Sequence, residues 1–105
     1  MNIKTVSKEF KDEMKSLYGD MLYKMILFGS FARNDFRDDS DVNFLFVLNK
    51  DEVHPLTEIS KISPVLGEFL SHYHKVFSVV PTSRRKFEDS TMPLYRNIRS
   101  EGIEI

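Results

Sequence analysis

A small domain containing both helices and strands, of the α/β or α+β class, is what the 105-residue sequence predicts. Three observations carry that expectation. Two long stretches repeat apolar residues at helical spacing, three short apolar runs read as strands, and turn signals separate nearly all of them. The length suits one domain, residues 1–105, with a core of its own but not two.

In chain order, Ile3, Val6, Phe10, Met14 and Leu17 recur every three or four residues, with Lys and Glu between them. That pattern is an amphipathic helix whose stripe covers a sheet face, and Gly19-Asp20 stops it. Tyr23 to Phe28 follows, apolar from Met25 onward, as suits a strand buried on both faces. Gly29-Ser30 interrupts it, and Phe31-Ala32-Arg33 opens a short helical turn with Ser30 at or near its N-cap. Residues Asn34 to Asp41, with four aspartates, are too polar to be core. Val42 to Leu48, rich in β-branched and aromatic residues, is the second strand. Asp41 and Asn43 are two apart at its start, so they point the same way, toward the Gly-Ser turn if the two strands are neighbours.

From Pro55 the spacing is helical again, through Leu56, Ile59, Ile62, Leu66, Phe69, Leu70 and Tyr73. Pro64 cannot donate a backbone hydrogen bond and is expected to kink or divide this helix. His72 and His74 close it; two residues apart on a helix they share no face, which argues against a metal pair. Val76 to Val80 is the third strand, ended by Pro81, and Thr82 or Ser83 caps a short helix through Glu88. Its Arg84-Arg85-Lys86 run reads first as a solvated helix start and second as a phosphate contact. Pro93 opens a last helix with Leu94, Tyr95 and Ile98 on its apolar side, Gly102 ends it, and Ile103-Glu104-Ile105 alternates like a short edge strand.

Composition narrows the function. Charges are plentiful and balanced at a net −1, so no global basic field draws in nucleic acid and any partner is recognised locally. The absence of cysteine excludes a disulfide framework and thiolate metal sites. The N-terminus leads into an amphipathic pattern instead of a signal-peptide core, and no apolar run reaches membrane-spanning length, so the expected location is the cytoplasm. No internal repeat or low-complexity segment is present.

The stretch from Tyr23 to Leu48 carries the chemistry. A glycine lets backbone approach a phosphate, N–H groups at a helix start attract the anion, and oxygen ligands two apart on a strand can hold Mg²⁺. Gly29-Ser30, then ten residues, then Asp41-Val42-Asn43, together with Ala32-Arg33 and Ser40, resembles the Gly-Ser…Asp-x-Asp signature of the polymerase-beta nucleotidyltransferase superfamily, and most closely its minimal nucleotidyltransferases. The resemblance runs over most of the chain. It implies an α+β fold, a small mixed β-sheet with helices packed mainly on one face, and a groove beside the Gly-Ser turn. It also implies that Gly29, Ser30 and Arg33 bind the phosphates of ATP, that Asp41 and Asn43 are at the Mg²⁺ positions, and that the catalytic set is Asp41, Asn43 and Ser78. Two of those three positions lack the family's carboxylate: Asn43 is an amide and Ser78 a hydroxyl. Two functions follow from the resemblance. One is transfer of AMP from Mg·ATP to a protein or RNA hydroxyl. The other is a binding module, an antitoxin that neutralises a helical HEPN-domain partner by docking. A homo-oligomer is compatible with both.

Overall fold

The computed structural model describes residues 1–105. Helix α1 (Ile3–Tyr18) starts at Asn2, whose side chain accepts hydrogen bonds from the N–H groups of Lys4 and Thr5, and it turns at Gly19 through one 3₁₀ turn (Gly19–Met21). Strand β1 (Leu22–Phe28) leads into the four-residue helix α2 (Ser30–Arg33), and the polar loop leads to β2 (Val42–Leu48). Helix α3 (Pro55–Tyr73), strand β3 (Phe77–Ser83), helices α4 (Arg84–Asp89) and α5 (Pro93–Glu101) and strand β4 (Ile103–Glu104) complete the chain.

The sheet is mixed, in the order β3-β2-β1-β4. Strand β1 is antiparallel to β2 and to β4, whereas β2 and β3 are parallel, joined by α3 as the crossover. Alternation along the strands sorts the side chains onto two faces. Met25, Leu27, Val42, Phe44, Phe46, Phe77 and Val79 pack beneath α1 and α3, and Ile26, Leu45 and Val47 pack beneath α4 and α5. The fold is therefore α+β, with the two long helices on one face and the two short C-terminal helices on the other. Phe10 of α1 lies at the centre of the larger core, fully buried, its ring 5.0 Å from Phe44, 4.9 Å from Phe69 and 5.7 Å from Phe77.

Several local expectations are corrected. Pro64 does not divide α3: one helix runs through it, held to the sheet by Ile62, Val65 and Phe69. Leu56 and Leu70, read as part of its apolar stripe, are exposed. Pro81 does not end β3, which continues to Ser83; β3 is an edge strand, where a residue without an N–H is tolerated. Gly29 is the N-cap of α2 and Ser30, expected at or near the cap, is the first residue of the helix. Ser83 caps α4 by accepting from the Lys86 N–H at 3.1 Å, while Thr82 is buried and its hydroxyl meets the Tyr95 hydroxyl at 2.9 Å. Gly102 ends α5 with a negative φ; its small size matters because a Cβ would come within 2.5 Å of Ile26 Cγ2 and 2.6 Å of the Ile98 carbonyl oxygen.

Candidate functional site

The strand register gathers the polar residues that the sequence singled out. Val42 faces the larger core, so its neighbours Asp41 and Asn43 face the opposite side of the sheet. Asn43 pairs with Phe28 of β1 on one side and with Ser78 of β3 on the other. Ser78 alternates with Phe77 and Val79 of the larger core and so shares the face of Asn43. Asp41 stands exposed at the head of β2, and Asn43 and Ser78 are half-buried.

Gly29 closes this corner from above. Its backbone has φ +82° and ψ −155°, a conformation that essentially only glycine adopts. A Cβ built there would lie 2.9 Å from Asn43 Nδ2, so the asparagine amide rests against the glycine backbone. The Gly29 carbonyl accepts from the N–H groups of Ala32 and Arg33, both at 3.1 Å, which fixes the turn that carries Ser30. Asn34 ends α2 in the left-handed region, φ +64°.

The loop from Asn34 to Asp41 is tied down at several points. Phe36 stacks on Phe31 with ring centroids 4.3 Å apart, Ser40 Oγ accepts from the Arg37 N–H at 2.8 Å, and Lys75 Nζ donates to the Asp38 carbonyl. Arg33 lies at the far end of α2 from the Gly-Ser turn. Its guanidinium is 3.2 Å from Asp35 and 3.8 Å from Glu101, so in this structure it ties α2 to the end of α5. The ion pair was not legible in the sequence because Glu101 is distant along the chain.

The donor set does not fit a resident divalent metal. It offers one carboxylate (Asp41), one amide and one hydroxyl, and nowhere in the protein are three or more His, Cys, Asp or Glu side chains placed so that they could hold a metal ion.

Further along the same face lies a cavity of about 630 Å³, between the β2–α3 connection, the end of β3 and helix α4. It is distinct from the Gly29 corner but shares β3 with it: Val80, two residues on from Ser78, is in its wall. Arg85 and Lys86 of the cationic run line it, whereas Arg84 turns away, 2.7 Å from Glu88 and stacked 4.0 Å from the Tyr23 ring. The three cations, adjacent in sequence, therefore do not act as one group.

A mixed four-stranded sheet, with a glycine–serine turn seated over the polar heads of two adjacent strands, is the frame of a nucleotidyltransferase domain. The chain belongs to that family: residues 7–101 match the nucleotidyltransferase domain. Two proteins of Methanocaldococcus jannaschii, the candidate protein adenylyltransferases MJ0604 and MJ0141, are similar over nearly their full length. The first is 31% identical over 97% of this chain and 96% of its own, and the second is 34% identical over the whole of both. Among solved structures, a chain from a doubly substituted toxin–antitoxin complex, MntA–HpeT, superposes with a TM-score of 0.60 over 99% of this chain and 71% of that one. Identity there is 12%, so the likeness is one of fold. No helix is long and apolar enough to cross a membrane.

Proposed function

We propose that the chain is an adenylyltransferase acting on a hydroxyl acceptor, with ATP, arriving as Mg·ATP, as its donor substrate. The observation that carries this reading is the register that sets Asn43 beside Ser78 and beneath Gly29, with Asp41 at the head of the same strand. In this reading the Gly29-Ser30 turn takes the triphosphate, aided by Arg33 once it leaves its carboxylate partners. Asp41 provides the one charged oxygen near the nucleotide, Asn43 presents its amide beneath the turn, and Ser78 orients the acceptor. The acceptor oxygen bonds to the α-phosphorus, the bond to pyrophosphate breaks, and the acceptor proton passes to solvent. With no carboxylate at position 78 to take that proton, the step lacks general-base help, typically worth about 10²–10⁴-fold. Slow transfer is therefore expected.

A second reading has its own observation. One carboxylate where the family has three suits a protein that docks instead of catalysing, as an antitoxin against a HEPN-type partner. Isothermal titration with Mg·ATP and transfer of α-labelled AMP to a co-purified partner separate the two. Weak nucleotide binding with slow transfer supports the enzyme. Tight partner binding, with no transfer at saturating ATP and no effect of ATP on the complex, supports the docking protein. A low-micromolar, Mg²⁺-dependent affinity for ATP would show that ligands beyond Asp41 exist.

A further inference from the structure

The 630 Å³ cavity lies toward the other end of the sheet from the Gly29 corner, where β2 and β3 run out and α4 begins. Ser83 in its wall is five residues beyond Ser78 along β3, about 16–17 Å at the rise of a strand. No residue of that corner lines it, and its volume is that of a small-molecule site. Its charges come from two elements. Asp51 and Glu52 belong to the β2–α3 connection, and Arg85 and Lys86 to the first turn of α4, with Asp89 at the end of that helix. None of these five takes part in an ion pair within the chain, although Arg84 and Glu88 on the same helix pair with each other. Half-buried Val53 and Val80 add apolar surface to the lining.

The hydroxyls of the wall show what the cavity asks for. Thr82, Ser83 and Tyr95 line it and are each more than nine-tenths buried. The Thr82 and Tyr95 hydroxyls share one hydrogen bond at 2.9 Å, so whichever donates, the proton of the other has no acceptor in the chain. Ser83 Oγ accepts from the Lys86 N–H at 3.1 Å, and its own proton likewise has no acceptor there. Buried polar groups seldom leave a donor unpaired. Two hydroxyl donors and two cations in one wall together suit a carboxylate.

We propose that this cavity is a binding site, separate from the Gly29 corner, for a small zwitterion: a free α-amino acid with an apolar side chain. Its carboxylate accepts from the hydroxyls and pairs with Arg85 and Lys86, its ammonium pairs with Asp51 and Glu52, and its side chain covers Val53 and Val80. A ligand of one charge fits less well. An anion drawn to Arg85 and Lys86 meets Asp51, Glu52 and Asp89 in the same lining, three carboxylates against two cations, and like charges brought together disfavour binding. A cation drawn to those carboxylates meets Arg85 and Lys86 and leaves the two hydroxyl protons unpaired. Only a molecule carrying both charges a few bonds apart satisfies the whole lining.

The test titrates the full chain, ¹⁵N-labelled and near pH 7, with leucine, with N-acetyl-leucine, which keeps only the negative charge, with leucinamide, which keeps only the positive one, and with glycine. Leucine at millimolar concentration is expected to shift the amides of residues 51–53, 82–86 and 95, and each of the other three to bind at least about tenfold more weakly. Arg85→Glu, a change at an exposed position, should weaken leucine binding by a similar factor while thermal unfolding stays unchanged. No shift with leucine, or shifts confined elsewhere, overturns the proposal. Equal binding of N-acetyl-leucine would make the cavity an anion site, equal binding of leucinamide a cation site, and equal binding of glycine would remove the apolar contact; each overturns it. Leucine binding that Arg85→Glu leaves intact does so too. All of these outcomes are read from binding alone, so they stand or fall apart from any transfer of AMP at the Gly29 corner.

Discussion

Gly29→Ala tests whether the corner is held by conformation, by contact or by neither. Two costs are separable. The backbone stands at φ +82° and ψ −155°, and holding a residue with a Cβ in so sparse a region costs about 1–3 kcal/mol. The contact is additional: the new Cβ falls 2.9 Å from Asn43 Nδ2, inside van der Waals distance, but that amide makes no hydrogen bond in the chain and can swing aside. The backbone cost should therefore dominate. In a domain of this size each kcal/mol lowers Tm by about 4 °C, so a loss of about 4–12 °C is expected. Thermal unfolding followed by circular dichroism reads it, and a double-mutant cycle with Asn43→Ala divides it. In the Asn43→Ala background most of the loss should remain, since only the contact has gone. Loss of less than about 0.5 kcal/mol for Gly29→Ala, the ordinary range for a surface change, would refute the reasoning. Full rescue by Asn43→Ala would mean that crowding, not backbone strain, selects the glycine.

Three further outcomes are expected. Asn43→Asp with Ser78→Asp places two carboxylates on directly paired positions of adjacent strands, about 4.8 Å apart at the backbone, and should raise Mg²⁺ affinity at least tenfold, each single change doing less; a folded double mutant that binds no better by calorimetry sinks the assignment of these positions. Glu58 is buried, which alone would raise its pKa, but hydrogen bonds from Tyr18 at 2.9 Å and Lys50 at 3.2 Å, with the charges of Lys50 and Lys61, hold it below the usual carboxylate range. Its contribution is thus present above the unfolded-state pKa of about 4.3 and is lost as pH falls through the lower folded value; Glu58→Gln should flatten stability in that acid window, measured by urea unfolding at several pH values, and an unchanged slope contradicts it. Phe10→Ala removes the ring that touches Phe44, Phe69 and Phe77 and should cost about 3–5 kcal/mol in chemical denaturation, while a loss below about 1 kcal/mol would show that the core collapses around the gap.

Most of the element order was legible because its signals are local. Val6, Phe10 and Met14 announce α1 by spacing alone, and Val42 to Leu48 announces β2 by composition. What stayed hidden depends on neighbours far along the chain. Pro64 reads as a break because sequence does not show that Ile62, Val65 and Phe69 hold the helix to the sheet on both sides of it. Pro81 reads as a strand end because sequence does not show which strand lies at the edge. In the site, Asp41 and Asn43 were found together by their spacing of two, and the structure pairs Ser78 with Asn43. The engagement of Arg33 with Glu101, and the parting of Arg84 from Arg85 and Lys86, rest on helix placement that no spacing encodes.

The corner and the missing carboxylates belong to different layers of the protein, and this explains how one persists without the other. Gly29 is fixed by the turn after β1, and Asn43 and Ser78 by a register that the apolar residues between and around them impose: Val42, Phe44, Phe77 and Val79 face the larger core, and a slip of one residue would turn them all outward. None of those constraints involves the charge at positions 43 or 78. An aspartate there gains nothing for folding, and in a half-buried position without a cation it would repel its neighbour, so replacing it by Asn or Ser carries no structural penalty. The geometry of this corner is a by-product of core packing, whereas under the proposed reading its metal affinity depends on two side chains that the core does not need. Restoring the two carboxylates therefore tests function almost independently of fold, and the same independence lets a chain of this family keep its groove while its chemistry weakens.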